Sequence, residues 1–449
     1  MTTTSINAST TTRAGTRRAW QNWGRTVRAH PRDVVCPTSV EQVCEIVATA
    51  ARSGRRVKAV GAGHSFTAIA KADDVQMSLD GLSGLRSVDS AQQTVTLGAG
   101  TPLHEIPALL APLGLAMENL GDIDTQSIAG AVSTGTHGTG ARFRGIAAQI
   151  AGVTLVTGRG ELLRVDADHS PQLLPAVALG LGALGILVEV TVRCVAAFDL
   201  RARERAEPLA AVLDTLESRV RDADHFEFFW FPHTEIALTK TNTRLPAGDG
   251  RAPLKPVRRW FDETLMANGV FRATCALGRL APAAVPTINR AAARLSGERT
   301  FSDVSSHVFA TRRTVRFTEM EYAIPADQVV AAFVEVQEAI ASGGWRITFP
   351  VEVRFAAADE LWMSTAYQRP SAYIAVHRAV GEDPQPYFHA VEQIMRARGG
   401  RPHWGKLHGR TAADLAEAYP RLADFREVRD ALDPQRVFAN RHLERVLGS

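Results

Sequence analysis

The spacing of apolar residues changes period several times along the first 120 positions. Over residues 37–53, Val43, Ile46, Val47 and Ala50 recur every three or four positions behind Thr38 and Ser39, whose hydroxyls suit a helix N-cap. Short apolar stretches at 57–60, 75–79, 87–89 and 94–97 predict strands, and residues 103–113 predict a helix between Pro102 and Gly114. From residue 151 strands dominate, at 153–157, 161–165 and 186–192. Charge density then rises over residues 201–208, which predicts a domain boundary. Beyond it, alternating stretches at 225–231, 315–322, 347–355 and 372–377 are separated by helical patterns such as 328–340 and 387–397. The Pro- and Gly-rich residues 245–256 predict a loop, a candidate mobile lid. Helices and short strands without a regular βα repeat point to an α+β fold and not to a doubly wound sheet, the second half being a sheet with helices on one side.

At 449 residues the chain exceeds what one hydrophobic core usually supports, and two closely packed domains are expected. Hydrophobic residues at 45% and charged ones at 22% match ordinary globular usage and argue against long disorder. The 51 Lys and Arg outnumber the 47 Asp and Glu by a small margin that suits anionic small molecules; nucleic acid calls for a denser basic stripe. Arg13, Arg17, Arg18, Arg25, Arg28 and Arg32 gather near the start and read as a solvated arm. Residues 1–18 lack the apolar centre of a secretory signal and are expected to be disordered. No apolar run long enough to cross a bilayer follows, so no integral membrane segment is expected. Cys36, Cys44, Cys194 and Cys275 form no CxxC pair, which favours a reducing compartment, the cytoplasm, with loose membrane association as a variant.

Two motif matches fail on context. Gly180, Gly182 and Gly185 in GLGALG fit GxGxxG, yet the strand-like ILVEVTV follows where a helix is required. Gly400, Gly405 and Lys406 in GRPHWGKL take P-loop spacing, but Leu407 stands where a Ser or Thr would hold magnesium. His64, His137, His403 and His408 sit in no metal motif and have no Cys pair beside them, so no metal is expected. There is no GxSxG elbow either. Two glycine-punctuated stretches remain. In VGAGHSF, Gly61, Ala62 and Gly63 permit a sharp turn whose backbone N–H groups can face an anion, followed by His64, Ser65 and Phe66. In GDIDTQSIAGAVSTGTHGTG, the small residues would let a long diphosphate ligand lie along the backbone; each stretch alone reads equally well as tight turns. In FPVEVRF, Glu352 and Arg354 share one strand face, with Phe349, Val351, Val353 and Phe355 on the other. Alternation alone fits a surface ion pair or a cavity wall.

Taken together, VGAGHSFTAIA, SIAGAVSTGTHGTG, LGALGILVEVTV, RPHWGK, YPRLADF and LDPQRVFAN make the chain resemble the flavoproteins of the vanillyl-alcohol oxidase superfamily. Within it, HFEFFWFP, VRFTEMEYAIP and FPVEVRF bring it near the sugar-1,4-lactone and alditol oxidoreductases, and the likeness covers residues 25–447. The resemblance implies a two-domain FAD-binding fold with a sheet-plus-helices substrate cap. It implies FAD held by Gly61, Ala62, Gly63, His64, Ser65 and Phe66, by Gly121, Ser127, Gly130, Ser133, Gly135, Thr136 and His137, and by Ile186. In members with a histidine at the position of His64, an imidazole nitrogen bonds a methyl of the flavin's benzenoid ring, so a covalent FAD is expected here. Gly121 would lie over the flavin, where a small residue could admit oxygen.

By the same likeness Glu352 takes or orients the substrate's hydroxyl proton, Arg354 grips substrate oxygens and Lys406 favours the negative charge of reduced flavin. Asp122 and His377 would line the substrate pocket. The alditol oxidase presents a serine where Asp122 stands, which weights the expectation toward oxidation of an aldono-1,4-lactone beside its carbonyl, giving ascorbate or an analogue. A polyol is the alternative substrate, and oxygen or a protein or quinone is the electron acceptor. The expected divisions are an arm at 1–18, an FAD-binding domain at 19–200, a cap at 201–405 and a segment at 406–449 that returns Lys406 to the flavin.

Overall fold

The chain starts with a two-stranded hairpin, β1 (Trp20–Gln21) and β2 (Arg28–Ala29), in a computed structural model that describes residues 19–448 apart from 296 and 312. The expected arm at 1–18 lies outside the described residues. Ser39 caps the helix Val40–Arg52 by accepting from the Gln42 N–H, and Val43, Val47 and Ala50 on one face are buried. Beside it β3 (Asp33–Val35), β4 (Val57–Ala59) and β5 (Val75–Met77) form a parallel sheet in the order β3-β5-β4. A second, antiparallel sheet uses β6 (Leu85–Asp89), β7 (Thr94–Gly98), β8 (Leu115–Met117), β9 (Ile150–Val156), β10 (Leu162–Val165) and β11 (Ile186–Ala196) in the order β10-β9-β11-β7-β6, with β8 on the far end of β11. One hydrophobic core underlies both sheets and also takes in Leu415, Tyr419, Phe425, Phe438 and Leu447 from the C-terminal helices.

The chain crosses to a third sheet at Ala197. This sheet has eight antiparallel strands: β12 (Phe198–Pro208), β13 (His225–Trp230), β14 (Ile236–Pro246), β15 (Arg299–Val304), β16 (Phe317–Pro325), β17 (Val351–Ala356), β18 (Ser371–Ala379) and β19 (Arg401–Pro402), in the order β15-β12-β14-β13-β17-β18-β16-β19. Phe226, Phe228, Val351, Val353, Phe355, Ile374 and Tyr322 face a second core against the helices Val329–Ser342 and Gln385–Ala397. Strand alternation then sends Glu227, Glu352, Arg354, Tyr373, His377, Glu319 and Glu321 to the opposite face, and all of these are buried as well. An α+β fold with helices on one side of the second-half sheet is what the periodicity predicted.

One local expectation needs correction. The strand predicted at 347–355 begins only at Val351, because Pro350 lacks the N–H that the ladder requires, and Phe349 packs instead with Phe66, Val315 and Phe317 in a separate cluster. The charge-rich stretch 201–208 lies inside β12, the first strand of the eight-stranded sheet in chain order.

Candidate active site

Three backbone segments build a cavity of about 110 Å³. The first is the turn after β4. Gly63 has φ +70°, a conformation natural to glycine, and a Cβ on Gly61 would lie 2.7 Å from Ser127 Oγ. The backbone N–H groups of residues 61–65 make no hydrogen bond among the described residues, and all five residues line the cavity. The second segment is the start of the helix Ile128–Thr134, where Ser127 Oγ accepts from the Gly130 N–H at 3.3 Å. The third is the Leu181–Leu187 turn, with Gly182, Gly185 and Ile186 on the wall. Lys58 is buried beneath, donating to the carbonyls of Gly182 (2.9 Å) and Phe438 (3.1 Å). Burial brings its pKa down to about 7 even though Asp433 opposes the shift. Unpaired amides and a buried cation around a glycine-walled cavity fit the diphosphate of a dinucleotide.

His64 sits at the end of this wall. Its ring stacks on Trp23 with centroids 5.2 Å apart, and Nε2 shares a 2.8 Å hydrogen bond with the Thr125 hydroxyl. Burial, then the nearby Lys406 and Arg316, lowers its pKa to about 4, so the imidazole is neutral at pH 7 with a lone pair available. The C-terminal turn is sewn to the same loop: the Phe66 N–H donates to the Gly405 carbonyl (2.6 Å) and the Thr67 hydroxyl to the Trp404 carbonyl (3.0 Å). This sets Lys406 with its ammonium 5.6 Å from the Phe66 ring centre and against Glu319.

From there the buried face of the eight-stranded sheet continues the site. Glu319 lies across from His377 in the β16/β18 register, 3.5 Å from its Nε2, while His377 Nδ1 donates to the Pro350 carbonyl. Burial pushes the Glu319 carboxyl upward, but Lys406 and His377 win and hold it at about 2. Two strands over, Arg354 touches Glu352, donates to Glu227 (2.9 Å) and reaches Asp122 Oδ2 at 3.3 Å. Arg313 meets the same Asp122 oxygen at 2.6 Å. Both arginines overcome burial to keep Asp122 well below the usual carboxylate range. Glu352 behaves oppositely. Burial dominates, Asp122 and Glu227 add to it, and the carboxyl is pushed up to about 7 in spite of Arg354. A buried carboxyl that titrates near neutrality beside a fixed guanidinium can take a proton from a hydroxyl held between them.

Asp122, Arg354 and Glu352 form one ion-paired group and Lys406, Glu319 and His377 another, the two meeting where ligand atoms of Glu352, Glu319 and His377 lie within 4.8 Å of one another; Asp122 and Lys406 are half-buried, and Gly61, Ala62, Gly63, His64, Ser65, Ser127, Gly130, Ser133 and Ile186 line the cavity. The remaining sequence candidates sit elsewhere. Phe66 is buried under Lys406. Gly135 ends its helix in the left-handed region, φ +75°. The Thr136 hydroxyl bonds Gln126. His137 stacks on Tyr373 at 3.7 Å, with Nε2 3.4 Å from Glu321. At Gly121 a Cβ would come within 3.1 Å of the His137 carbonyl oxygen, a close approach to which the His137 segment would have to yield by a few tenths of an ångström. Sequence reasoning missed Glu227, Glu319 and Glu321, although HFEFFW and FTEMEY carry the same charge-in-alternation signal as FPVEVRF. It also missed Lys58 and Gly182, the latter inside the rejected GxGxxG. Arg313 carried no signal. Two groups, His137–Glu321–His403 and Glu319–Glu352–His377, have the spacing of metal ligands; in the second, protein cations are in place, Lys406 on Glu319 and Arg354 on Glu352.

Residues 31–166, which hold the 61–65 turn and the helix capped by Ser127, match an FAD binding domain family, and the class is that of FAD-linked oxidoreductases. Residues 190–446, with Glu352, Arg354 and Lys406, match the D-arabinono-1,4-lactone oxidase family. The chain is 42% identical over 429 residues to the L-gulono-1,4-lactone dehydrogenase of Mycobacterium tuberculosis, covering 96% of this chain and 99% of that one. It is 32% identical to the L-gulonolactone oxidase of Bos taurus, covering 95% and 98%. A cholesterol oxidase from Brevibacterium sterolicum superposes with a TM-score of 0.78 at 20% identity over 96% of both chains, a likeness of fold. The chain belongs to the D-arabinono-1,4-lactone oxidase family.

Proposed function

We propose that this enzyme oxidises an aldono-1,4-lactone of the gulono, galactono or arabinono type at the hydroxyl beside its carbonyl, giving ascorbate or an analogue. The single observation that carries the reading is the 3.3 Å approach of Asp122, from the cofactor side, to Arg354 on the cap strand, which joins the dinucleotide cavity and the Glu352 face into one site. FAD, when bound, would supply the acceptor for the hydride leaving the lactone carbon. The unpaired amides of 61–65 and Lys58 hold its diphosphate, and His64, neutral and aligned by Thr125 and Trp23, supplies the nitrogen for a covalent tether. Arg354, pinned on three sides by Glu352, Glu227 and Asp122, offers its fork to substrate oxygens and cannot swing away. Glu352 takes the hydroxyl proton. Lys406, fixed by Glu319, holds positive charge next to the His64 loop, where it would favour the negative charge of a reduced cofactor.

We assign residues 19–200 with 406–449 to the FAD-binding unit and 201–405 to the substrate cap. Among the described residues no helix is long and apolar enough to cross a membrane, and all four cysteines are free, which supports a reducing compartment such as the cytoplasm. Anaerobic spectroscopy with a lactone panel tests the assignment. Bleaching of the bound flavin by gulono-, galactono- or arabinono-lactone is expected; bleaching by xylitol alone would overturn it in favour of a polyol substrate. Readmission of air then separates an oxidase from an enzyme that needs another acceptor.

A further inference from the structure

One unbroken helical run follows β14: Pro256–Arg259, the wider-wound Trp260–Val270 and Phe271–Leu280. Its inward anchors are Asn268, Cys275 and Gly278, which are buried, and Phe271, which packs edge-on against Phe349. Its outward face is apolar. Val257, Trp260, Phe261, Leu265, Leu277 and Leu280 are exposed, Leu280 at 82% and Val257 at 79%. A water-facing helix normally carries its charged residues on that side. Half of all the exposed large apolar side chains among the described residues belong to this one run.

The charge of the chain is concentrated in the same place. Residues 251–294 hold eight Lys and Arg and two acids, a net +6, whereas the whole chain is +4, so the remainder is net negative. Lys255, Arg258, Arg272 and Arg279 are exposed along the run. The apolar face is a line about 37 Å long, the length of 25 helical residues, and not a groove. It also adjoins the active site. Asn268 Oδ1 accepts from the Thr314 N–H (2.7 Å) and hydroxyl (2.9 Å), Arg272 donates to the Thr314 hydroxyl, and the next residue, Arg313, is the one paired with Asp122.

We propose that this helix docks the enzyme on an anionic phospholipid bilayer, its apolar face in the headgroup boundary and its basic residues among the lipid phosphates. Arg251, Arg258 and Arg259 are ion-paired with Asp199, Asp262 and Asp303, but Lys255, Arg272 and Arg279 remain exposed beside the apolar face, so a second copy could cover it only by bringing two basic surfaces together, which like-charge repulsion opposes; an anionic bilayer satisfies both features at once. The site mouth then lies at the membrane surface, within reach of an acceptor dissolved in the lipid.

The test is sedimentation of the holoenzyme with vesicles of phosphatidylcholine alone and of seven parts phosphatidylcholine to three parts phosphatidylglycerol. Partition onto the anionic vesicles is expected to be at least about tenfold stronger and to be lost near 1 M salt, where the screening length is about 3 Å. The combined Val257→Ser, Trp260→Ser and Phe261→Ser variant, and separately Lys255→Glu with Arg279→Glu, should each lose most of that binding while keeping lactone turnover with a soluble dye. Wild type that ignores anionic vesicles overturns the proposal, as does an apolar variant that still binds them. A concentration-dependent dimer that the apolar variant abolishes, in a wild type that leaves vesicles alone, would assign the face to a second copy.

Discussion

Replacing Glu352 with glutamine separates stability from activity in a way that only a buried, near-neutral carboxyl allows. The carboxyl is held at about 7 where an ordinary one lies at 4.5, so its ionisation costs the folded protein about 3 kcal/mol. The sign follows from proton binding. Between pH 4.5 and 7 the folded protein keeps a proton that the unfolded chain has already released, so stability falls as pH rises through that window and levels off above it. Glutamine keeps the shape of the neutral acid and cannot ionise. Glu352→Gln is therefore expected to lose the decline and, near pH 8, to be more stable than wild type by up to about 3 kcal/mol. Urea unfolding midpoints at about pH 5 and pH 8 measure this. Anaerobic flavin bleaching by lactone should meanwhile slow by roughly 10² to 10⁴, the share a positioned base commonly supplies. A variant that is less stable than wild type at the higher pH, or that bleaches at the wild-type rate, refutes the reasoning.

Three further outcomes are expected. His64→Ala should release all its flavin on acid precipitation while wild type retains it in the pellet; Thr125→Val, which removes the partner of His64 Nε2, should lower the tethered fraction seen as fluorescence on a denaturing gel. Arg354→Met leaves Glu227, Glu352 and Asp122 buried without their shared cation, which should destabilise the protein by about 3 to 5 kcal/mol by urea unfolding and abolish lactone turnover; near-wild-type stability would show that the three carboxylates do not depend on it. Gly138→Ala would place a methyl 2.2 Å from the Leu120 carbonyl oxygen, so a loss of about 1 to 3 kcal/mol is expected, and an unshifted unfolding midpoint would contradict the packing.

Much of the fold was legible because burial and period coincide. The Ser39-capped helix, the strands around residues 75, 95 and 188, and the helices behind the eight-stranded sheet each carry apolar residues on one face. The pattern was silent where tertiary context decides. The run after residue 256 has apolar residues on its outer face, which reads as no clear amphipathic helix, and the C-terminal helices were recognised only as motifs. In the site, Glu352 and Arg354 could be placed on a common strand face, but whether that face met water or a cavity depended on the 121–140 segment folding over it. Phe355 donates to the Thr139 hydroxyl and the Gly140 N–H to the Phe355 carbonyl. No local rule announces such a contact. The same holds for Arg313, whose partner Asp122 is nearly 200 positions away in sequence.

The bond from Lys58 to the Phe438 carbonyl spans 380 residues. Beside it the Val57 N–H donates to the Val437 carbonyl, so the floor of the cavity is closed by a segment made long after the His64 turn. At ordinary ribosomal speed His64 leaves the exit tunnel roughly 20 to 75 seconds before that floor arrives. A chain truncated just before Val437 lacks that floor and should yield a colourless product.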